Sequence, residues 1–144
     1  MAILHHPNQK EVLMCDFGTG GFREPEMVKK RPVVVLSHRR YNGTTCLVVP
    51  LSTVAPHVVL PFHHQMMRES LPRALRSQVS WVKGNMLTHV ALERLDRVMY
   101  RSSVDRVRRY ETTLVVPADW LAIQRCIRAS LGLHETTDEP PATP

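Results

Sequence analysis

Residues 31–53, RPVVVLSHRRYNGTTCLVVPLST, decide the fold. Two runs of strand formers, 31–37 and 46–53, flank an eight-residue link that carries Asn42-Gly43, a strong tight-turn signal. So short a link forces the two runs to pair as antiparallel neighbours. Residues 33–36 are apolar without alternation, the mark of a strand buried on both faces. The pairing brings Arg31, at the mouth of one strand, towards Ser52, at the end of the other. Lys29 and Lys30 directly precede Arg31, so three cations crowd the entrance of a core strand. Such a cluster is either a solubility edge or a seat for an anion.

Working outward, residues 11–17 (EVLMCDF) alternate polar and apolar side chains and read as a first strand. Residues 18–30 (GTGGFREPEMVKK) combine three glycines, a proline and mixed charges, so they form a loop. Loops of that length in a compact domain are often functional. Downstream, 57–62 (HVVLPF) reads as a short strand with Pro56 and Pro61 fixing its ends, and 68–76 (RESLPRALR) as a basic irregular segment. A fifth strand, 78–87, ends in a turn at Gly84-Asn85. Residues 91–98 read as one or two helical turns, and 108–116 as a late strand. The clearest element runs from Pro117, suited to a first helical turn, to Gly132, a stop signal, with Asp119 near its N-terminal end. Trp120, Ile123, Ile127 and Leu131 share one face of this helix, and Arg125 and Arg128 lie on the other. Many short strands and one terminal helix predict a mainly β (α+β) chain, a small, strongly curved β-barrel capped by a helix.

The 144 residues suffice for one domain with a real core. That domain spans 1–133, and 134–144 (HETTDEPPATP) is a Pro-, Thr- and acid-rich tail expected to be disordered. No apolar run approaches the ~18 residues of a membrane span, and the N-terminus lacks the pattern of a signal peptide. Three cysteines without a CxxC spacing suit a reduced, cytoplasmic chain in which they are half-buried. Lys plus Arg number 19 against 13 acids, and the tail alone holds Glu135, Asp138 and Glu139, so the body is more basic than the whole. An Arg-rich basic domain favours a polyanionic partner, usually nucleic acid.

The order of the blocks carries more information than any single one. A strand ending in DF, a Gly-rich loop bearing an acid, RPVVVLS, LVVPLST and then WVKGNMLTHVALERL (81–95) together resemble the PemK/MazF family of toxin endoribonucleases. The resemblance covers about residues 11–131, and EPEMVKKRP (24–32) is similar to the subset with an acid, a short gap and Arg-Pro. It implies a cytoplasmic toxin of a type II toxin–antitoxin system, a homodimer of an SH3-like barrel with a C-terminal helix. Such a toxin is inhibited by a cognate antitoxin protein and cuts single-stranded RNA with neither metal nor other cofactor. The RNA 2′-hydroxyl acts as the nucleophile, leaving a 2′,3′-cyclic phosphate and a 5′-hydroxyl. The catalytic pair so implied is Arg31 and a hydroxyl of Ser52 or Thr53.

The residue types suit this chemistry. A permanently charged planar fork such as Arg31 matches the charge that builds on a phosphorane's oxygens, and a hydroxyl donates to a further oxygen. The other reading of Arg31 is a structural salt bridge to Glu24 or Glu26. Glu26 is the loop's acid/base partner for the reaction, or the group that holds Arg31. Imidazole is the side-chain type suited to proton transfer at neutral pH, which adds His57, His63, His64 and His89 as candidates. His63-His64 has no second ligand pair at metal spacing, which points to a surface or RNA contact and not to a metal. For RNA binding the loop offers Lys29, Lys30 and Phe22, the last as a base-stacking platform because it sits mid-loop. Phe17 and Trp81 read as core. Lys83 and Asn85 match the family's polar block, and Arg73 and Arg76 are further phosphate contacts or solvated surface. Residues 57–78 and RVRRYETT (106–113) have no counterpart in the family pattern. The competing reading is a non-catalytic module that binds nucleic acid or an antitoxin.

Overall fold

The computed structural model describes residues 3, 5–18 and 21–133, so the predicted acidic tail lies outside the described residues. Strands β1 (Val12–Asp16), β2 (Lys30–Val35), β3 (Thr45–Ser52), β4 (His63–Gln65), β5 (Trp81–Lys83), β6 (Thr88–Ala91) and β7 (Leu95–Asp96) form one antiparallel sheet. Its order is β4-β5-β3-β2-β1-β7, with β6 also paired to β3. Strands β8 (Val98–Arg101) and β9 (Arg108–Glu111) make a separate two-stranded ribbon, and helix α1 (Pro117–Ser130) follows. The chain is mainly β with one C-terminal helix, as expected. Among the described residues the strand path does not return to its start, so the curved sheet is open rather than a closed barrel.

β2 shows why residues 33–36 are apolar without a break. Val34 packs with Val12, Val49, Leu51, Val82 and Ile123 on one side of the sheet. Val33 and Val35 pack with Leu13, Cys15, Val48 and Leu95 on the other. Each such side chain contributes roughly 1.5–3 kcal/mol by leaving water. A strand buried on both faces has no solvent-facing position to fill with a polar residue.

Helix α1 starts at Pro117, and Gly132, at a φ of +70°, ends it as predicted. Its most buried positions are Asp119, Ile123 and Cys126, with Trp120 and Ile127 packed at the margin. Leu131, assigned to the apolar face, is exposed. Where β5 ends, the backbone runs close to α1: a Cβ on Gly84 would lie 2.8 Å from the Phe62 carbonyl oxygen and 3.0 Å from Cys126 Cβ. No described helix is long and apolar enough to cross a membrane.

Several elements differ from the sequence reading. Asn42-Gly43 is not a two-residue hairpin turn. A 3-10 turn (Arg39–Tyr41) precedes Asn42, whose φ is −84°. The Asn42 amide donates to the Pro7 carbonyl at 3.1 Å, and its oxygen accepts from the Ser37 hydroxyl at 2.5 Å. Its side chain therefore anchors the N-terminal segment instead of shaping a turn. Residues 57–62 form no strand, and Val58, Val59 and Leu60 are exposed. Pairing begins only at His63, beyond the two prolines that interrupt donation to a neighbour. Residues 91–98 contain one 3-10 turn (Leu92–Arg94), then β7 and the start of β8, and β6 was not expected at all. The three cysteines are fully buried, not half-buried. Burial pushes the Cys15 thiol up to about 12 and that of Cys46 to about 11, which keeps both unreactive.

Glu11 is a buried acid, 1% exposed, with Oε2 lacking any partner and His5 Nε2 3.9 Å from Oε1. Burial raises its pKa above 4.5, only partly offset by His5, a hydrogen bond at Asn8 and Arg39. The folded state thus holds this proton more tightly than the unfolded chain. The ionised form destabilises the fold above the raised pKa, and the penalty disappears as pH falls through it towards 4.5. Glu11→Gln should stabilise the domain by roughly 1–2 kcal/mol at neutral pH. In urea melts at several pH values, that advantage over the wild type should shrink steadily as the pH is lowered towards 5.

Candidate functional site

The site grows from strand register. Arg31 stands opposite Cys15 on β1. The β2–β3 ladder pairs Val33 with Pro50, and two residues further out the same register sets Arg31 opposite Ser52. Ser52 in turn pairs with Trp81 on β5, and Trp81 with Gln65 on β4. One row across the sheet therefore reads Cys15, Arg31, Ser52, Trp81, Gln65. The two-residue period of a strand keeps Arg31 on the side of Val33 and Val35.

Beside this row residues 24–29 line one wall of an open cleft of about 710 Å³. Its polar lining is Glu24, Glu26, Lys29, Arg31 and Ser52, and its apolar lining includes Met27, Val54 and Met86. Arg31 is half-buried, and its Nε is a buried donor with no partner. None of the ion pairs among the described residues involves Arg31, Glu24 or Glu26. The alternative of a structural salt bridge at Arg31 is therefore absent. A buried charged donor left unpaired costs about 1–3 kcal/mol or more, a cost that a bound anion would remove.

The two adjacent hydroxyls differ in position. Ser52 is buried and lines the cleft, and its Oγ accepts the Val54 N–H at 3.2 Å. With a lone pair so engaged, its O–H is left to donate. Thr53, one residue on, is exposed and does not line the cleft. The lysines separate in the same way: Lys29 lines the cleft, whereas Lys30 pairs with Asp16 across β1.

Other expected contacts fall elsewhere. Phe22, expected to stack bases from mid-loop, lies edge-on to Phe17 at 5.5 Å, and the Arg94 guanidinium sits 4.9 Å from its ring centre. It is committed to packing because the loop folds back onto the core. Trp81, expected to be core, belongs to neither buried cluster and stands half-buried beside Ser52. Lys83 follows on β5 opposite His63, and exposed Asn85 shares the 3-10 turn Gly84–Met86 with the cleft residue Met86. Arg73 and Arg76 do not line this cleft. Arg76 Nε donates to the Leu71 carbonyl at 2.8 Å, and the Arg73 guanidinium lies 5.3 Å from the Tyr100 ring centre.

No histidine lines the cleft. His63 Nδ1 accepts the Leu60 N–H at 3.0 Å, and burial, aided by Lys83, lowers its pKa. His64 is not a surface contact. Its Nε2 lies 2.8 Å from Oδ1 of Asp119, a carboxylate with 1% exposure that also accepts from Met67 N–H and the Ser70 hydroxyl. Nothing local in the sequence marked this network, whose members lie on three separate elements. The carboxylates that line the cleft are those of Glu24 and Glu26. Among the described residues no group of three His, Cys, Asp or Glu side chains is placed to hold a metal ion.

The model of the PemK-like, MazF-like toxin family of type II toxin–antitoxin systems matches residues 8–119. The chain is 32% identical to the YifN protein of Escherichia coli K12, a match covering 77% of this chain and 87% of that protein. An endoribonuclease structure from Mycobacterial species superposes with a TM-score of 0.62 at 16% identity, covering 92% of this chain and 97% of the other. A second Mycobacterial endoribonuclease, solved in complex with its cognate antitoxin, gives a TM-score of 0.59 at 18% identity, with 90% and 99% covered. These structural likenesses are of fold.

Proposed function

This chain belongs to the PemK-like, MazF-like toxins of type II toxin–antitoxin systems, and we propose that it is an endoribonuclease cutting single-stranded RNA in the Arg31–Ser52 cleft. The observation that carries this reading is the unpartnered, buried Arg31 Nε in a cleft that also holds the Ser52 hydroxyl. The scissile phosphate sits against Arg31 and Ser52. A cleft carboxylate, Glu26, takes the proton of the 2′-hydroxyl, whose oxygen forms the new bond to phosphorus. Arginine stays charged and is a poor base, but it is a strong donor to the phosphorane oxygens. The P–O5′ bond then breaks, the departing oxygen takes a proton from water while Glu26 returns its own to solvent, and the products are a 2′,3′-cyclic phosphate and a 5′-hydroxyl. No step needs a metal. Lys29, Lys83 and Asn85 grip the flanking strand.

The excess of basic side chains supports an acidic antitoxin segment as the inhibitor, lying in the same cleft. The working form proposed is a cytoplasmic homodimer. The deciding experiment incubates the purified chain with a defined single-stranded RNA, with and without chelator, and analyses the product ends. Equal cleavage in both, with cyclic-phosphate ends, is expected. Salt-sensitive binding without any product would instead mark a non-catalytic binding module, and cleavage lost in chelator would overturn the metal-free route.

A further inference from the structure

A second cluster of cations lies outside the cleft, on the β8–β9 ribbon. Residues 97–111 hold Arg97, Arg101, Arg106, Arg108 and Arg109 against two acids, Asp105 and Glu111, the second of which accepts the Arg73 N–H at 3.0 Å. The ribbon's register sets Arg101 directly opposite Arg108. Like charges at facing positions of a two-stranded ribbon repel and weaken it, so an isolated ribbon gains nothing from this pair. Arg101, Arg106 and Arg108 are exposed, and none joins an ion pair among the described residues. Asp105 is engaged by Arg109 at 2.7 Å.

Two rings hold guanidinium groups in place here. Arg73 lies 5.3 Å from the Tyr100 ring centre, and Arg97 lies 4.4 Å from that of Tyr110. A stacked guanidinium keeps its N–H edge free for bidentate donation. Between the ribbon and the 3-10 turn Arg73–Leu75 opens a cleft of about 720 Å³ whose polar lining includes Arg73, Arg101, Arg109, the hydroxyls of Ser102 and Ser103 and the Asp105 carboxylate. It shares no lining residue with the Arg31 cleft.

We propose that this ribbon, with Arg73, is a second RNA-binding surface that grips the phosphate backbone of a substrate extending beyond the cleavage site. An anion bridging Arg101 and Arg108 turns their repulsion into a binding contribution. Arginine forks and hydroxyls are phosphate donors, and they read no base. An acidic peptide is the poorer fit. Met99 and Val104 could anchor a peptide, but five arginines crowd residues 97–109 and outnumber these apolar side chains, a balance that suits a continuous phosphate backbone better. The inference rests on the RNA reading for the identity of the polyanion, but not on the Arg31 chemistry.

The test compares the full-length chain with its R101S/R108S variant. Two RNAs are used, a short one that fills only the Arg31 cleft and a long one that extends past it. For the long RNA, affinity should fall at least tenfold at moderate salt, and the slope of log K against log salt should flatten by roughly 1.4, the value for two lost single-strand phosphate contacts. Cleavage of the short RNA should be unchanged, and the melting temperature unchanged or higher because the like-charge pair is gone. An unaltered affinity and slope for the long RNA would overturn the proposal. So would a variant that keeps RNA affinity but loses binding to an acidic peptide. If neither RNA is cut by the wild type yet the variant still binds the long one more weakly, the second surface stands and the ribonuclease reading falls.

Discussion

Arg31→Ala lowers RNA cleavage by roughly 10²–10³-fold or more, the range seen when one donor to a developing oxyanion is removed. Among the described residues Arg31 has no ion pair to lose, and its buried Nε has no partner. Its removal therefore deletes an unsatisfied donor instead of breaking a network. Chemistry and stability part company here: activity collapses while the melting temperature holds or rises. Arg31→Lys restores only part of the rate, because an ammonium group is a point charge without the planar fork. Ser52→Ala acts in the same direction, whereas Thr53→Ala, at an exposed position outside the cleft, leaves the rate unchanged. Single-turnover cleavage of a defined RNA, with a thermal melt of each variant, measures all four. A wild-type rate in Arg31→Ala, or equal losses in Ser52→Ala and Thr53→Ala, would remove the site from this cleft.

The part of the site that was legible in sequence is the part that strand pairing dictates. Residues 31–53 pair with one register because both faces of β2 and β3 are buried, and that register alone sets Arg31 opposite Ser52. Adjacent hydroxyls in PLST could not be separated without knowing which one faced inward, since a one-residue step changes the face. The burial of Phe22 and Trp81 was misjudged for a related reason, since Phe22 packs on Phe17 and Trp81 is only half-buried. Position in a loop or a strand says little about an aromatic ring when the loop folds back over the core and the strand reaches the sheet's outer rows. The short strands β6 and β8, four residues each, are too brief to display a period. Arg73 looked like a groove cation because its distance from Arg31 depends on how 57–78 packs, a stretch without strong periodicity. The Asp119 network was invisible for the same reason, since its acceptor, β4 and the 3-10 turn that follows β4 meet only in the folded chain.

That network gives the largest stability effect. Asp119 lies in the first turn of α1, where a carboxylate suits the helix's positive end. Its oxygens accept from His64 Nε2 at 2.8 Å, Met67 N–H at 2.9 Å and the Ser70 hydroxyl at 2.5 Å, while Ser70 Oγ accepts the Val116 N–H at 3.1 Å. One buried carboxylate thus ties the helix to β4 and to the 3-10 turn Arg68–Ser70. Asp119→Ala leaves a backbone N–H, a hydroxyl and an imidazole without their acceptor, for a loss of about 3–5 kcal/mol. At roughly 2–4 °C per kcal/mol for a chain of this size, the melting temperature drops by on the order of 10 °C. Asp119→Asn loses less, because its amide still offers one acceptor oxygen but presents an N–H₂ where a donor already stands. His64 shares its row with Val82 and Leu51, in the core cluster on the side of the sheet opposite to Arg31. Cleavage per folded molecule should therefore survive while the folded fraction falls. Urea melts paired with active-site titration separate the two, and a loss below about 1 kcal/mol would mean that the carboxylate's donors find replacement partners in water.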